Sequence, residues 1–93
     1  MNVIFQTTTG EFRNLLLSKD CPVGLALIYY IIEYNPLYIL FLFNHEDHKS
    51  FLFNNQALRI QDETPIEKAL TQANPKIIVN FDYIENFWLK NKI

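Results

Sequence analysis

Cysteine, glycine and net charge are all scarce in this sequence, and each scarcity excludes a class of site. Cys21 is the single cysteine, so the chain has no disulfide framework and no four-cysteine metal site. Two glycines are too few for a loop that cradles phosphate. A net charge of −2 gives no electrostatic case for binding nucleic acid or an anionic membrane surface. We therefore expect no cofactor, no metal and no nucleic-acid partner, and a reduced intracellular setting, cytoplasmic or nuclear.

Apolar side chains are abundant instead, and they concentrate in residues 22–34, where Glu33 is the only charged residue. Pro22 suits a first helical turn, which Asp20 can cap. The residue before Pro36 is pushed out of the helical region, so the helix should end there. The stretch therefore predicts a short helix of about three turns.

This predicted helix is apolar on two sides. Residues at helical spacing form an inner stripe that should face the core: Val23, Ala26, Leu27, Tyr30, Ile31 and Tyr34. The opposite side, where a surface helix is normally polar, carries Leu25, Ile28, Tyr29 and Ile32. A single sheet can cover only one side, so the second side is the main functional indication in the sequence.

Three kinds of contact could bury the second side of the helix. A partner protein is the interpretation we favour, because a contiguous apolar patch usually marks a contact. The tail, residues 82–93, is the second, since Phe87 and Trp88 could fold back over the helix. A membrane is the third, because residues 22–43 are mostly apolar and long enough to span a bilayer. Glu33 in the middle of that segment argues against the membrane.

The rest of the chain predicts strands around this helix. Residues 2–7 alternate as a strand, residues 8–11 form a turn, and residues 12–17 return antiparallel. Further strands are expected at 37–43, covered on both faces, at 51–53 and at 76–81. Asp62 or Thr64 should cap a short helical turn at 65–70, and the side chains of Ala57, Leu58 and Ile60 should return to the core.

One helix between two hairpin-like pairs must pack across one face of a mixed sheet. The expected class is α+β, a β-grasp with a mixed sheet of four to five strands, one crossing helix and a C-terminal tail or short helix. We expect the domain at residues 1–81 and the aromatic tail at residues 82–93.

The sequence also resembles the ubiquitin-like family over residues 1–81. Residues 1–17 align with it without a gap, and residues 7–11, Thr-Thr-Thr-Gly-Glu, are similar to the family's first turn. Residues 53–66 resemble its run Phe-x-Gly-Lys-x-Leu-x-Asp-x-x-Thr-Leu, and residues 76–81 resemble its last strand. The resemblance implies a β-grasp fold and a role in binding proteins.

Departures from the family narrow that role. Conjugated members end in Gly-Gly, whose carboxylate an activating enzyme uses, and no Gly-Gly pair occurs in this sequence. The family's receptor-binding sheet patch has a leucine in the first turn, where this chain has Thr8. The resemblance therefore indicates a member that is not conjugated and that uses a different surface.

The sequence gives little indication of a metal site or a catalytic site. His45-Glu46-Asp47-His48 supplies at most a partial metal site and is expected to be a solvated loop. Cys21 has no base nearby in the chain that would make it a nucleophile. We therefore expect no catalytic residues and no enzyme.

The sequence thus predicts a non-catalytic ubiquitin-like interaction module, a constitutive scaffold or adaptor subunit of a larger complex. Its partner-binding residues are expected to be Leu25, Ile28, Tyr29, Ile32, Phe87 and Trp88. Without its partner, the chain should be poorly soluble or form a homodimer. The alternatives are a small membrane-associated subunit with a hydrophobic segment at 22–43 and, ranked lower, a Ras-association-like binder, for which Arg13 is the one basic residue on strand two.

Overall fold

The computed structural model describes residues 1–38 and 50–80, and these residues form a five-stranded mixed sheet with one main helix. The fold is α+β, as predicted. In chain order the elements are β1 (Asn2–Thr7), β2 (Phe12–Leu16), α1 (Val23–Tyr34), a 3-10 turn (Pro36–Tyr38), β3 (Phe51–Phe53), β4 (Gln56–Ala57), α2 (Ile66–Ala69) and β5 (Lys76–Val79).

The strands lie in the order β2-β1-β5-β3-β4. The two central strands, β1 and β5, are parallel, and every other neighbouring pair is antiparallel. The parallel pair joins the two hairpins, one from each half of the chain, into a single sheet. Both strands of this pair, like β3, have neighbours on both sides. Their alternate side chains supply much of the core, including Val3, Phe5, Ile77 and Val79.

The first hairpin agrees with the sequence prediction. Val3 and Phe5 are fully buried while the residues between them are only partly covered, which is the period-two pattern of a strand with one core face. Gly10 has a φ of +94°, which a residue with a side chain rarely adopts. The Thr7 N–H donates to the Glu11 carbonyl at 2.9 Å and closes the turn.

The second hairpin turns at Asn54-Asn55 between β3 and β4. Both asparagines have positive φ, 50° and 66°, which is the backbone of a type I′ turn and fits the twist of a two-residue hairpin. Asparagine tolerates this conformation better than most residues with side chains. Ala57, predicted to point into the core, is exposed in the short strand β4, while Leu58 and Ile60 pack against the core.

The predicted strand at 37–43 is wrong at its start. Leu37 and Tyr38 lie in the 3-10 turn, where the Tyr38 N–H donates to the Asn35 carbonyl at 3.0 Å, and Leu37 is 89% exposed. The apolar run suggested a buried strand, but Asn35, with φ −149° and ψ 61°, ends the helix, and Pro36 then begins a separate 3-10 turn. Two segments, 39–49 and 81–93, lie outside the described residues. The first contains the rest of the predicted strand and the predicted loop at 45–48.

Helix α1 ends as predicted but begins differently. The Asn35 N–H donates to the Ile31 carbonyl at 2.8 Å and the helix stops before Pro36. Pro22 is the N-cap residue and no side chain caps the helix, so the prediction of an Asp20 cap is wrong. Backbone carbonyls of Thr64 and Asp62 accept from the first two helical N–H groups at 2.9 Å, so a passing loop satisfies the helix start.

The short helix α2 lies close to its predicted position, but neither Asp62 nor Thr64 caps it. Pro65 is its N-cap residue, and the Ile66 N–H donates to the Cys21 carbonyl at 2.8 Å. Asp62 Oδ1 instead accepts from the Thr64 N–H at 2.9 Å. These bonds hold α2 against the segment that leads into α1, and they bury the Ile66 side chain completely.

Gly24 gives a direct test of the junction between the start of α1 and the loop that precedes α2. A Cβ atom on Gly24 would lie 2.0 Å from the Ile60 carbonyl oxygen, which is backbone and cannot rotate away. Helix propensity alone predicts that Gly24→Ala stabilises the protein by about 0.5–1 kcal/mol. We expect the opposite sign, a loss of about 1–3 kcal/mol in the free energy of unfolding, because the junction becomes overpacked. Urea denaturation measures it, and a stabilised variant contradicts the close approach.

Candidate interaction surface on helix α1

The inner face of α1 is set by side chains that pack on the sheet. Tyr30 lies at its centre and is completely buried. Its ring stacks on Phe5 with 4.4 Å between centroids, and Phe51 meets it edge-on at 6.0 Å. The buried helical residues are Val23, Gly24, Ala26, Leu27, Tyr30 and Ile31, and Tyr34, also predicted on this side, is partly buried against the core.

The outer helix patch consists of Leu25, Ile28, Tyr29 and Ile32. Leu25 is 38% exposed, Tyr29 is 46% exposed and Ile32 is 57% exposed, whereas Ile28 is half-buried. Their spacings of three and four residues bring the four side chains next to one another on the helix surface. The structure therefore brings together all four predicted patch residues, with Ile28 less accessible than the others. Phe87 and Trp88, the two predicted aromatic anchors, lie outside the described residues.

The patch carries almost no charge. Glu33, which is exposed, is the only ionisable residue in α1 besides its tyrosines. Three large apolar side chains on one helical face, with so little charge among them, form a surface that water solvates poorly. Such a surface suits recognition by apolar contact.

Sequence reasoning missed three other exposed apolar side chains. Leu37 follows α1 in the 3-10 turn, while Phe12 and Leu16 lie on β2 and point away from the helix. A signal for the β2 pair was available, because strict alternation puts Phe12, Asn14 and Leu16 on one face and Arg13 and Leu15 on the other. No comparable signal marked Leu37, since its neighbours are also apolar.

Cys21 is a poor nucleophile in this setting. Its side chain is buried at the entrance to α1, and burial raises the pKa of the thiol. Its Sγ lies 3.5 Å from the Pro22 carbonyl oxygen, to which it donates. The reactive thiolate is therefore disfavoured at neutral pH.

Arg13 is engaged within the fold. Its Nη2 lies 2.6 Å from Glu11 Oε2, and its guanidinium carbon lies 4.3 Å from the centre of the Tyr34 ring. The hydrogen bond to Glu11 raises the pKa of Arg13. Its charge is therefore paired within the first hairpin.

Over residues 1–38 and 50–80, no three His, Cys, Asp or Glu side chains group in a way that could hold a metal ion. His45-Glu46-Asp47-His48 falls outside that range. In the same described part, no helix combines the length and apolar character needed to cross a membrane.

No protein-family model matches the chain, and no curated protein matches it.

A lysine substitution on each face of α1 should distinguish the exposed face from the buried one. We expect Ile32→Lys to change the free energy of unfolding by no more than about 0.5 kcal/mol, as for other surface substitutions. Ile31→Lys, one residue away and completely buried, should cost about 3 kcal/mol or more, because core truncation alone costs about 2–5 kcal/mol and a charge adds a desolvation cost. Urea denaturation of both variants measures this, and equal losses would contradict a two-faced helix.

Proposed function

We propose that this chain is a non-catalytic ubiquitin-like module that binds other proteins, as a constitutive scaffold or adaptor subunit of a larger complex. Its contact surface is the outer helix patch, with Phe87 and Trp88 of the tail as further anchors. The observation that carries the proposal is the exposure of Leu25, Tyr29 and Ile32 on one face of a helix whose other face is core.

The arrangement of the elements supports a β-grasp. The main helix follows the first hairpin and returns the chain to the sheet, where the last strand pairs parallel to β1. The strand order β2-β1-β5-β3-β4 leaves the second hairpin beside β5. This layout is the one that the resemblance to the ubiquitin-like family implies, and it leaves the outer side of the single crossing helix without a second layer among the described elements.

The energy available from the patch is sufficient for a specific contact but not for a very tight one. Fully burying a Leu or Ile side chain is worth roughly 1.5–3 kcal/mol. The three exposed patch residues already have about half of their surface covered. They therefore contribute a few kcal/mol before the costs of association are subtracted. A stable complex needs further contacts. The exposed Leu37, which follows α1 in the chain, is one candidate, and we propose Phe87 and Trp88 of the tail as the others.

The partner we propose is a protein with an apolar groove or platform. Leu25, Tyr29 and Ile32 have the i, i+4, i+7 spacing by which a helix presents one row of anchors to a groove. Tyr29 is the strongest single anchor, because tyrosine supplies a large apolar area with a polar tip and is enriched among residues that dominate interfaces. Glu33 borders the row, so a basic group at the rim of the groove would complement it.

Affinity purification with a matched pair of variants tests this function. Tyr29→Glu with Ile32→Glu adds two charges to the patch and should remove the proteins that co-purify with the wild type. Gln56→Glu with Gln72→Glu adds the same charge at two exposed positions elsewhere and should retain them. Both variants should unfold within about 1 kcal/mol of the wild type, since each substitution is on the surface.

Two outcomes would contradict the proposal. If the patch variant keeps every co-purifying protein, the contact surface is elsewhere. If both variants lose the same proteins, the added charge alone is responsible and the apolar patch has no specific role.

A further inference from the structure

Strand β2 is the longer of the two edges of the sheet. The strand order places β2 and β4 at the ends. β4 has two residues, and such a short edge offers little to pair with. β2 has five residues, and its sequence, Phe-Arg-Asn-Leu-Leu, contains neither proline nor lysine, two of the residues by which proteins commonly protect an edge.

The hydrogen bonds of the first hairpin fix which peptide groups of β2 point outward. Met1 and Leu17 exchange both bonds, at 2.6 and 2.8 Å, and the Thr7 N–H donates to the Glu11 carbonyl. In an antiparallel pair, bonded and non-bonded positions alternate, so the odd-numbered residues of β2 bond to β1. The even-numbered residues Phe12, Asn14 and Leu16 therefore direct their N–H and C=O groups away from the sheet.

These outward groups have no backbone partner among residues 1–38 and 50–80. The side chains of the same residues are also accessible, with Phe12 61% exposed and Leu16 83% exposed. Within the described part of the chain, the edge thus combines peptide groups that lack a backbone partner with two large apolar side chains on the sheet face opposite α1. This combination is the signature of a strand that accepts another strand.

We propose that β2 pairs antiparallel with β2 of a second copy of this chain, about a twofold axis that passes beside Asn14. In this register the outward groups meet as three bonded pairs: Asn14 with its own counterpart, and Phe12 with Leu16 of the other copy, twice. Each such pair exchanges two N–H···O bonds. The two five-stranded sheets then form one continuous sheet across the dimer.

The strand is complementary to itself in this register, which is why a second copy fits better than an unrelated segment. Directly opposite residues have neighbouring side chains, so each exposed Phe12 covers an exposed Leu16. Asn14, the polar residue between them, faces only another Asn14. The side chains directed to the helix side are Arg13 and Leu15, and each Arg13 lies opposite a leucine rather than another arginine. The surface is distinct from the outer helix patch, so the dimer and the proposed partner contact are independent.

Two measurements on the unmodified chain test the proposal: its mass in solution and the hydrogen exchange of its backbone amides. The mass should rise from one chain to two with concentration, by sedimentation or by light scattering. In the monomer, the amides of Arg13, Leu15 and Leu17 should exchange slowly and those of Phe12, Asn14 and Leu16 quickly. As the dimer forms, the even-numbered amides should slow by tenfold or more. A chain that stays monomeric at its highest soluble concentration overturns the proposal, and so does a monomer with slow even-numbered amides, because another segment then occupies the edge.

A charge-swap pair tests the register itself. Phe12→Lys with Leu16→Lys places lysines opposite lysines across the axis, and Phe12→Glu with Leu16→Glu does the same with glutamates. Each double variant alone should be monomeric, because directly opposed like charges destabilise a strand pair. An equal mixture should form a heterodimer. Dimers that persist in each variant alone, or a mixture that stays monomeric, overturn the proposal.

A third variant tests the role of the peptide groups. Asn14→Pro removes an outward N–H that β1 does not use, a position where an edge strand tolerates proline. It should leave the circular dichroism spectrum unchanged and abolish the dimer. A folded Asn14→Pro variant that still dimerises overturns the proposed strand pairing.

Discussion

The stack of the Tyr30 ring on Phe5 fixes how α1 sits on the sheet. The two rings lie 4.4 Å apart at an angle of 21°, and Phe51 contacts both of them edge-on. This cluster joins the helix to β1 and β3, and burial raises the pKa of Tyr30, so its phenol remains neutral in the core. Successive helical residues are turned by about 100°. Holding Tyr30 inward therefore turns Tyr29 away from the sheet, and the outer helix patch is a consequence of the core contact.

The start of α1 is fixed by backbone rather than by side chains. Carbonyl groups of the loop before α2 accept from Val23 and Gly24, and the Cys21 carbonyl accepts from Ile66 in return. Because Gly24 has no Cβ, the Ile60 carbonyl can pass directly beside it. These bonds tie the loop, α2 and the helix into one unit. The exposed patch is thereby held on a rigid element, which lowers the entropy cost of ordering it on binding.

Sequence patterns predicted the elements in which apolar residues recur at a regular spacing. Period-two alternation located β1 and β2, helical spacing separated the core side of α1 from Leu25, Tyr29 and Ile32, and Asn54-Asn55 marked a turn. The patterns failed where long-range backbone contacts decide the outcome. Nothing local to Asp20 shows that a distant loop will cap the helix in its place. The apolar run after Pro36 has no period, so it could not show that Leu37 belongs to an exposed turn. The position of β2 at one end of the described sheet also depends on strand order, which no local pattern contains.

Hydroxyl-radical footprinting of Tyr29 and Tyr30 tests the central claim most directly, because the two adjacent tyrosines serve as each other's reference. In the isolated chain, Tyr29 should be oxidised readily and Tyr30 hardly at all, since one is 46% exposed and the other is completely buried. In the assembly isolated from cells, Tyr29 should lose most of its reactivity while Tyr30 does not change. Equal oxidation of both residues in the isolated chain would contradict a two-faced helix. A Tyr29 that remains fully reactive in the assembly would contradict its role as the contact surface.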